Sequence, residues 1–311
     1  MGTNDIVRTE IDHLPQLQQD ELARVVRTLM AGFEESTARA TQPWKREGKI
    51  YKIVLFGSYA RDDWVDEPDK GYQSDFDLLV VVSHRDLTEI ADYWYVAEDR
   101  ILRDPAVGRL VNIIVHSIDE VNRALKRGEY FWVDIARDGI ALYELPQHEL
   151  ATPMPLTPAD AYQMASDYFD DWLAKVDSAL KLASFAQSEG DLKDAAFLLH
   201  QATERAYDCF LLVRTHYFPR SHNIKFLRSL AEDNEPRLID AWPRSTKLDR
   251  RRFELLKRAY VEARYSANYE VSREDLDALS ASVRRLRDLV ETVSRERLEQ
   301  LESAAGAAGE S

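Results

Sequence analysis

The stretch that most constrains this chain is Ser74-Asp75-Phe76-Asp77-Leu78-Leu79-Val80-Val81-Val82. The run from Leu78 to Val82 is rich in Val and long enough for a central strand. Asp75 and Asp77 enter it at alternate positions, so both carboxylates project to one face. Two residues along a strand span roughly 6–7 Å between Cα atoms. Carboxylates so spaced can bridge a pair of divalent ions about 3.5–4 Å apart. Acids at the mouth of an apolar strand are costly unless something cationic meets them. A second stretch upstream complements the first. Ile53 to Phe56 is a short apolar run ending at Gly57-Ser58, a pattern that predicts a buried strand entering a tight turn. Gly57 lets backbone approach a ligand closely. Ser58 opens Ser58-Tyr59-Ala60-Arg61, a short helix start whose N–H groups could hold a phosphate.

The order strand, Gly-Ser, spacer, Asp-x-Asp, apolar strand resembles the nucleotidyltransferase superfamily that includes DNA polymerase β. The sequence is most similar there to the minimal nucleotidyltransferases of prokaryotes, through Gly57-Ser58-Tyr59-Ala60-Arg61 and Ser74-Asp75-Phe76-Asp77-Leu78-Leu79-Val80. The resemblance implies phosphoryl transfer with Mg²⁺ or Mn²⁺ on Asp75 and Asp77, and ATP or another nucleoside triphosphate as substrate. It also implies that Ser58 and Arg61 hold the triphosphate beside Gly57. For Arg61 the plainer alternative is a surface pair with Asp62 or Asp63.

The same resemblance calls for a third carboxylate on the next strand, here Leu110 to His116. The aligned position is Asn112, which can offer a carbonyl to a metal but cannot take a proton. His116 shares the Asn112 face and is a second candidate. Asp119 and Glu120 could substitute if the following helix start turned inward. The simpler reading is that Ser117 caps that helix with Glu120 three residues on.

The rest of the first half alternates strands and helices. An amphipathic stripe of Leu17, Leu22, Val25, Val26, Leu29, Met30 and Phe33 predicts a helix to about Ala40. Further helices are expected over Asp86–Arg103, from Ser117 to near Gly128, and over Tyr130–Arg137. A fourth strand is expected over Ile140–Tyr143. The acidic segment from Arg61 to Gln73 is either a solvated insertion or a lid over the site. Four prolines, Pro146, Pro153, Pro155 and Pro158, mark the best domain boundary. After it every periodic segment is helical, and Leu276, Leu279, Val283, Leu286, Val290 and Val293 make a bundle seam. The expected class is α+β: a mixed sheet with flanking helices over 1–148, a linker over 149–158, and an all-α bundle over 159–303. The small-residue tail 304–311 is expected to be disordered.

The helical half resembles the HEPN family, the higher-eukaryote and prokaryote nucleotide-binding helical domain. The resemblance rests on Ala196 to Tyr207, on Ser221-His222-Asn223, and on Tyr260 to Tyr269. Ribonuclease members carry an Arg, a short spacer and a His. Here Arg264 is present, but Tyr269 stands where the His would be, and a phenol with a pKa of about 10 is a poor acid–base group. RNA cleavage is therefore not expected, while Arg264 retains a phosphate-binding reading. His200 and Glu204, one turn apart, are expected to form a buried hydrogen-bonded pair. The basic stretch from Arg244 to Arg258 reads either as a site for phosphate or an acidic partner, or as a solvated helix face.

A formal charge of -14 argues against general adhesion to nucleic acid or anionic membrane. The single Cys209 excludes a disulfide framework. With no signal peptide at the start and no membrane-length apolar run, a cytoplasmic protein is expected. The activity expected is transfer of a nucleoside monophosphate to an unknown hydroxyl acceptor, a protein tyrosine among them, by a homodimer formed through the helical domain. Tyr265 and Tyr269, beside Arg264, make self-modification conceivable. Two alternatives stand beside it: a nucleotide-binding regulatory or toxin–antitoxin-type module without chemistry, marked by Asn112, and an aminoglycoside nucleotidyltransferase whose acidic loop suits a cationic drug.

Overall fold

The computed structural model describes residues 7–38, 40–67, 72–219 and 221–309. The chain divides into two compact units, Met1–Pro155 and Leu156–Ser311.

In the first unit the elements run α1 (Gln16–Thr37), α2 (Pro43–Arg46), β1 (Ile50–Phe56), α3 (Ser58–Arg61), β2 (Asp66–Glu67), β3 (Tyr72–Gln73), β4 (Phe76–Val82), α4 (Tyr95–Leu102), β5 (Val111–Ser117), α5 (Ile118–Lys126), α6 (Tyr130–Asp138) and β6 (Ile140–Glu144). The main sheet has the order β5-β4-β1-β6. β1 is antiparallel to β4 and β6, and β4 is parallel to β5. The sheet is mixed because β1 and β4 pair antiparallel, whereas the β4–β5 and β5–β6 connections both pass through helices, the second to the opposite edge beside β1.

Alternation sorts the two faces. Ile53, Leu55, Phe76, Leu78, Val80, Val82, Ile113 and Val115 pack with Leu22, Val25, Leu29 and Phe33 of α1 and with Trp94 and Ala97. The other face meets α5 and α6, where Phe131 stands edge-on to Phe56 and Trp132 edge-on to His116. The helix expected over Asp86–Arg103 is broken. A 3₁₀ turn at Arg85–Thr88 and a π turn at Ile90–Trp94 precede α4, because Glu89 is extended. That turn buries Trp94 against Phe33 while its indole N–H donates to the Leu87 carbonyl at 2.8 Å.

Behind the Gly57-Ser58 turn lies a buried charged knot that the sequence reading did not anticipate. Arg109 Nε meets Glu21 Oε2 at 2.6 Å, both side chains almost fully enclosed. The same guanidinium donates to the Tyr59 hydroxyl and lies against the Tyr59 and Phe76 rings. Glu21 also accepts the Gly108 N–H at 2.9 Å. Burial pushes the Tyr59 phenol up to about 12 despite the nearby cation. For Arg109 burial opposes the charge, and Glu21 and Tyr59 outweigh it.

The second unit is helical: α7 (Pro158–Glu189), α8 (Leu192–Thr215), α9 (Ile224–Asn234), a 3₁₀ turn (Pro236–Ala241), α10 (Lys247–Tyr265) and α11 (Arg273–Gly309). The expected seam of α11 is buried from Leu276 to Val293. α11 runs on to Gly309, so the segment expected to be disordered from Ala304 is helical there. Its alanines are the best helix formers and extend a helix already nucleated. Among the described residues no helix is long and apolar enough to cross a membrane.

Three buried groups of α8 and its C-terminal cap make opposing contributions to the pH response. His200 and His216 are both pushed down to about 4, first by burial, then by the positive charges of His222 and Arg297 respectively. Asp208 is pushed up to about 9 by burial and by Glu204. Below about pH 6.5 the unfolded chain takes up histidine protons that the folded chain refuses, so stability is lost as pH falls toward 4. Above about 3.9 the unfolded chain releases the Asp208 proton that the folded chain keeps, so that contribution decays as pH rises toward 9. Chemical denaturation across pH should show the contribution of these three groups greatest near about pH 6.5, with Asp208→Asn flattening the alkaline limb and steepening the acid limb above about pH 4. In the first unit, Arg109→Ala should cost about 3–5 kcal/mol in urea unfolding, because Glu21 is left charged and enclosed. The double replacement Arg109→Met with Glu21→Leu should recover much of that loss.

Candidate active site

β1 ends and β4 and β5 begin at one edge of the sheet. The register sets Asp77 opposite Phe56 on one side and opposite Asn112 on the other. Asp75 lies one residue before β4, on the Asp77 face. The two carboxylates converge. The Asn112 side-chain amide donates to Asp75 Oδ2 at 3.3 Å and to Asp77 Oδ1 at 3.0 Å. Asp77 is 1% exposed and Asp75 9%.

Gly57 adjoins this pair. Its φ of 76° is in the left-handed region, and a Cβ there would lie 2.7 Å from Asp77 Oδ2. Both the turn and the close approach of backbone to carboxylate therefore demand glycine. Ser58 opens α3 and is buried. α3 is a single turn, fastened from behind by Tyr59 and the Arg109 knot. Arg8 fastens it from the side, donating to the Ala60 carbonyl and, at 3.5 Å, to the Asp138 carbonyl. The Arg8 carbonyl accepts the Ala141 N–H at 2.7 Å, extending the sheet past β6.

Arg61 bonds Asp63 at 3.1 Å, the surface pairing weighed from the sequence. Its charge also acts on α6. Burial raises the Asp134 carboxyl, opposed by Arg137 and Arg61. Asp138 is held low first by its hydrogen bonds from Arg137, with Arg61 and Arg8 adding to the effect. Arg61 thus stands in an interleaved cluster of acids and cations beside the turn. Asp134 and Arg8 carried no local motif that would have singled them out. Glu21 did carry a signal. Together with Gln18 it interrupts, at helical spacing, the buried stripe of Leu22, Val25 and Leu29.

Other candidates fall away from this edge. His116 lies four residues beyond Asn112 along β5, about 13 Å at strand rise, and faces Glu120 and Trp132. Glu120 accepts the Ser117 N–H at 3.1 Å while Ser117 accepts the Glu120 N–H, so the capping box holds it at the far end of the strand. Asp119 belongs to the same first turn. Asp66 of the acidic segment pairs β2 with β3 and bonds Gln73 at 3.1 Å. Pro68 to Gly71, on which the lid reading partly rests, lie outside the described residues.

In the helical unit Tyr269 is enclosed, and its hydroxyl donates to the Leu255 carbonyl at 3.0 Å. Burial raises its pKa further. It is a core tyrosine with neither acid–base nor acceptor access. Tyr265 is 76% exposed. Arg264 lies against the Phe197, Tyr260 and Tyr265 rings. The expected His200–Glu204 hydrogen bond is not made. Among the described residues neither ring nitrogen of His200 has a hydrogen-bond partner, and Glu204 instead meets His222 Nδ1 at 3.0 Å. The basic stretch is answered within the bundle: Arg244 by Glu232, Arg251 and Arg252 by Asp275, and Arg258 by Glu262.

A mixed sheet with Gly-Ser at the end of one strand and paired aspartates at the start of its neighbour is the site plan of a nucleotidyltransferase. Two family models match: the nucleotidyltransferase domain over residues 39–127 and the HEPN domain over 169–293. The chain is 32% identical over 99 residues to "Putative protein adenylyltransferase MJ0604" of Methanocaldococcus jannaschii. That match covers 32% of this chain and 84% of the relative. A solved nucleotidyltransferase-like protein from Exiguobacterium sibiricum 255-15 matches over 86% of this chain and 74% of its own. Its identity is 14% and its TM-score 0.25, too low for the likeness to inform the site. The chain belongs to the nucleotidyltransferase family and carries a HEPN domain in its second half.

Gly57→Ala should destabilise the chain by about 1–3 kcal/mol through backbone strain and displacement of Asp77. Gly306, inside α11 with open space around it, is the matched control: Gly306→Ala should be neutral or stabilising by up to about 1 kcal/mol. Denaturant unfolding of both variants measures the contrast.

Proposed function

We propose that the chain transfers AMP from ATP to a hydroxyl acceptor, with a divalent cation, Mg²⁺ or Mn²⁺, held by Asp75 and Asp77. The observation that carries this reading is the convergence of both carboxylates on one amide within hydrogen-bond reach, beside a left-handed glycine that lets backbone lie against Asp77. Two acids drawn onto one N–H₂ group form a centre of negative charge that a hard cation suits. Gly57 and the Ser58 hydroxyl border the triphosphate, and the Arg61 charge assists once it exchanges Asp63 for phosphate. The cation supplies charge neutralisation on the phosphates. In the reaction the acceptor oxygen forms a bond to the α-phosphorus, the bond to the bridging oxygen of the β-phosphate breaks, and pyrophosphate leaves. Asn112 cannot receive the acceptor proton, which passes to solvent water as the new bond forms.

A protein is the acceptor class that the relative's name favours, and a tyrosine hydroxyl is the acceptor proposed. Exposed Tyr265 is accessible to modification, and Tyr269 is not. A second reading has its own observation: with an amide in the third position, the site binds nucleotide and leaves chemistry undone, as a regulatory module would. Labelled ATP with Mg²⁺ or Mn²⁺ and candidate protein acceptors separates the two. Transfer of label is expected, and Asp77→Asn should reduce it at least 100-fold while leaving the unfolding midpoint close to wild type. Nucleotide binding without transfer to any acceptor selects the regulatory reading, and absence of nucleotide binding sinks both.

A further inference from the structure

The third position of the site is an amide with a specific job. Asn112 Nδ2 reaches both carboxylates at once, 3.3 Å from Asp75 Oδ2 and 3.0 Å from Asp77 Oδ1. Its two N–H bonds therefore answer one carboxylate each. A third carboxylate at this register point would place three negative charges at the start of two neighbouring strands, beside an aspartate only 1% exposed. Such a triplet is stable only with two cations or with protons, since like charges at close range oppose joint ionisation. With Asn112 the fixed charge is two carboxylates, and part of their repulsion is taken up by the amide. Among the described residues no group of three His, Cys, Asp or Glu side chains could hold a metal ion. Two ions would have to share the same two carboxylates, with no further negative charge from Asn112 to offset the second ion. A single ion fits this donor set, if other oxygens complete its shell.

Resting on the nucleotide-site reading above, we propose that this is a one-cation site whose ion binds together with the triphosphate, and that Asn112 sets this limit by tethering Asp75 and Asp77. Two carboxylates give a hard cation few of the six or more oxygens it takes. The phosphate oxygens supply the remainder, so nucleotide and ion bind with positive coupling. Coupling of this kind is reciprocal: each ligand tightens the other by the same factor. Asn112 is a positioning residue. It keeps the carboxylates together without an ion, and it withholds the charge that would hold a second one.

The test counts Mn²⁺ on the full chain by electron paramagnetic resonance of free ion, with calorimetry in parallel, using a non-hydrolysable ATP analogue as probe. In the wild type, Mn²⁺ alone should bind at least tenfold more weakly than with the analogue, and the analogue should bring one Mn²⁺ per chain. Asn112→Asp should bring two, and should lower the melting temperature without metal while enlarging the rise that Mn²⁺ produces. A merely structural Asn112 would leave the ion count unchanged on substitution. Two ions per wild-type chain, or one in a folded Asn112→Asp chain, overturns the proposal. The wild-type count decides by itself if the variant does not fold. Failure of the analogue to bind, with or without Mn²⁺, overturns the nucleotide site as a whole, which distinguishes that outcome from a wrong ion count.

Discussion

The site depends on the register of a parallel pair. β4 and β5 align so that Asp77 stands opposite Asn112, and β1 returns antiparallel so that Phe56, and with it Gly57, meets Asp77 from the other side. A slip by one residue would turn Asp77 into the apolar core and Leu78 toward α6. The apolar alternation of Phe76, Leu78, Val80 and Val82 against α1 forbids that slip. Hydrophobic burial on one face thus fixes the geometry of charges on the other. The same register leaves a left-handed glycine as the one residue able to lie against the Asp77 carboxylate.

The turn after β1 is held by chemistry quite unlike that of the site. Tyr59 points back into the core, where its hydroxyl meets Arg109 and its ring stacks on Trp64. Glu21 neutralises Arg109 from α1. An enclosed ion pair of this kind is poor evidence of added stability, because desolvation offsets most of its attraction. Its geometric effect is clearer. It joins α1, the turn before β5 and α3 at one point, so the short Ser58–Arg61 helix has a fixed anchor. Arg8 and the α6 acids secure the opposite side.

Many charges of the helical unit are paired within it. Arg244, Arg251, Arg252, Lys257 and Arg258 of the basic stretch meet acids on α9, α10 and α11. Tyr269 bonds back to α10, which removes the residue aligned with a ribonuclease histidine from any substrate. His200 and Asp208 are buried on α8 with ring nitrogens and a carboxyl oxygen that have no hydrogen-bond partner among the described residues, and they give the unit opposing pH dependences.

Much of this was legible in the order of residues. Alternating apolar positions marked β1, β4 and β5. Threes and fours marked the bundle helices, and Ser117 with Glu120 announced its own cap. Local patterns suffice there because periodicity and capping act within a few residues. Asp75, Asp77 and Gly57 were readable for the same reason, each carrying its constraint in the neighbouring sequence. What only the tertiary structure decided were contacts between residues far apart in the chain. These include Asn112 donating to both aspartates across strands, Glu21 finding Arg109, His116 stranded at the wrong end of β5, and Tyr269 facing inward. Side chains of identical local pattern differ in such matters only through register and packing, which no single stretch encodes. The residues of the candidate site could be named from the sequence, while the partners that restrain their charges came from the fold.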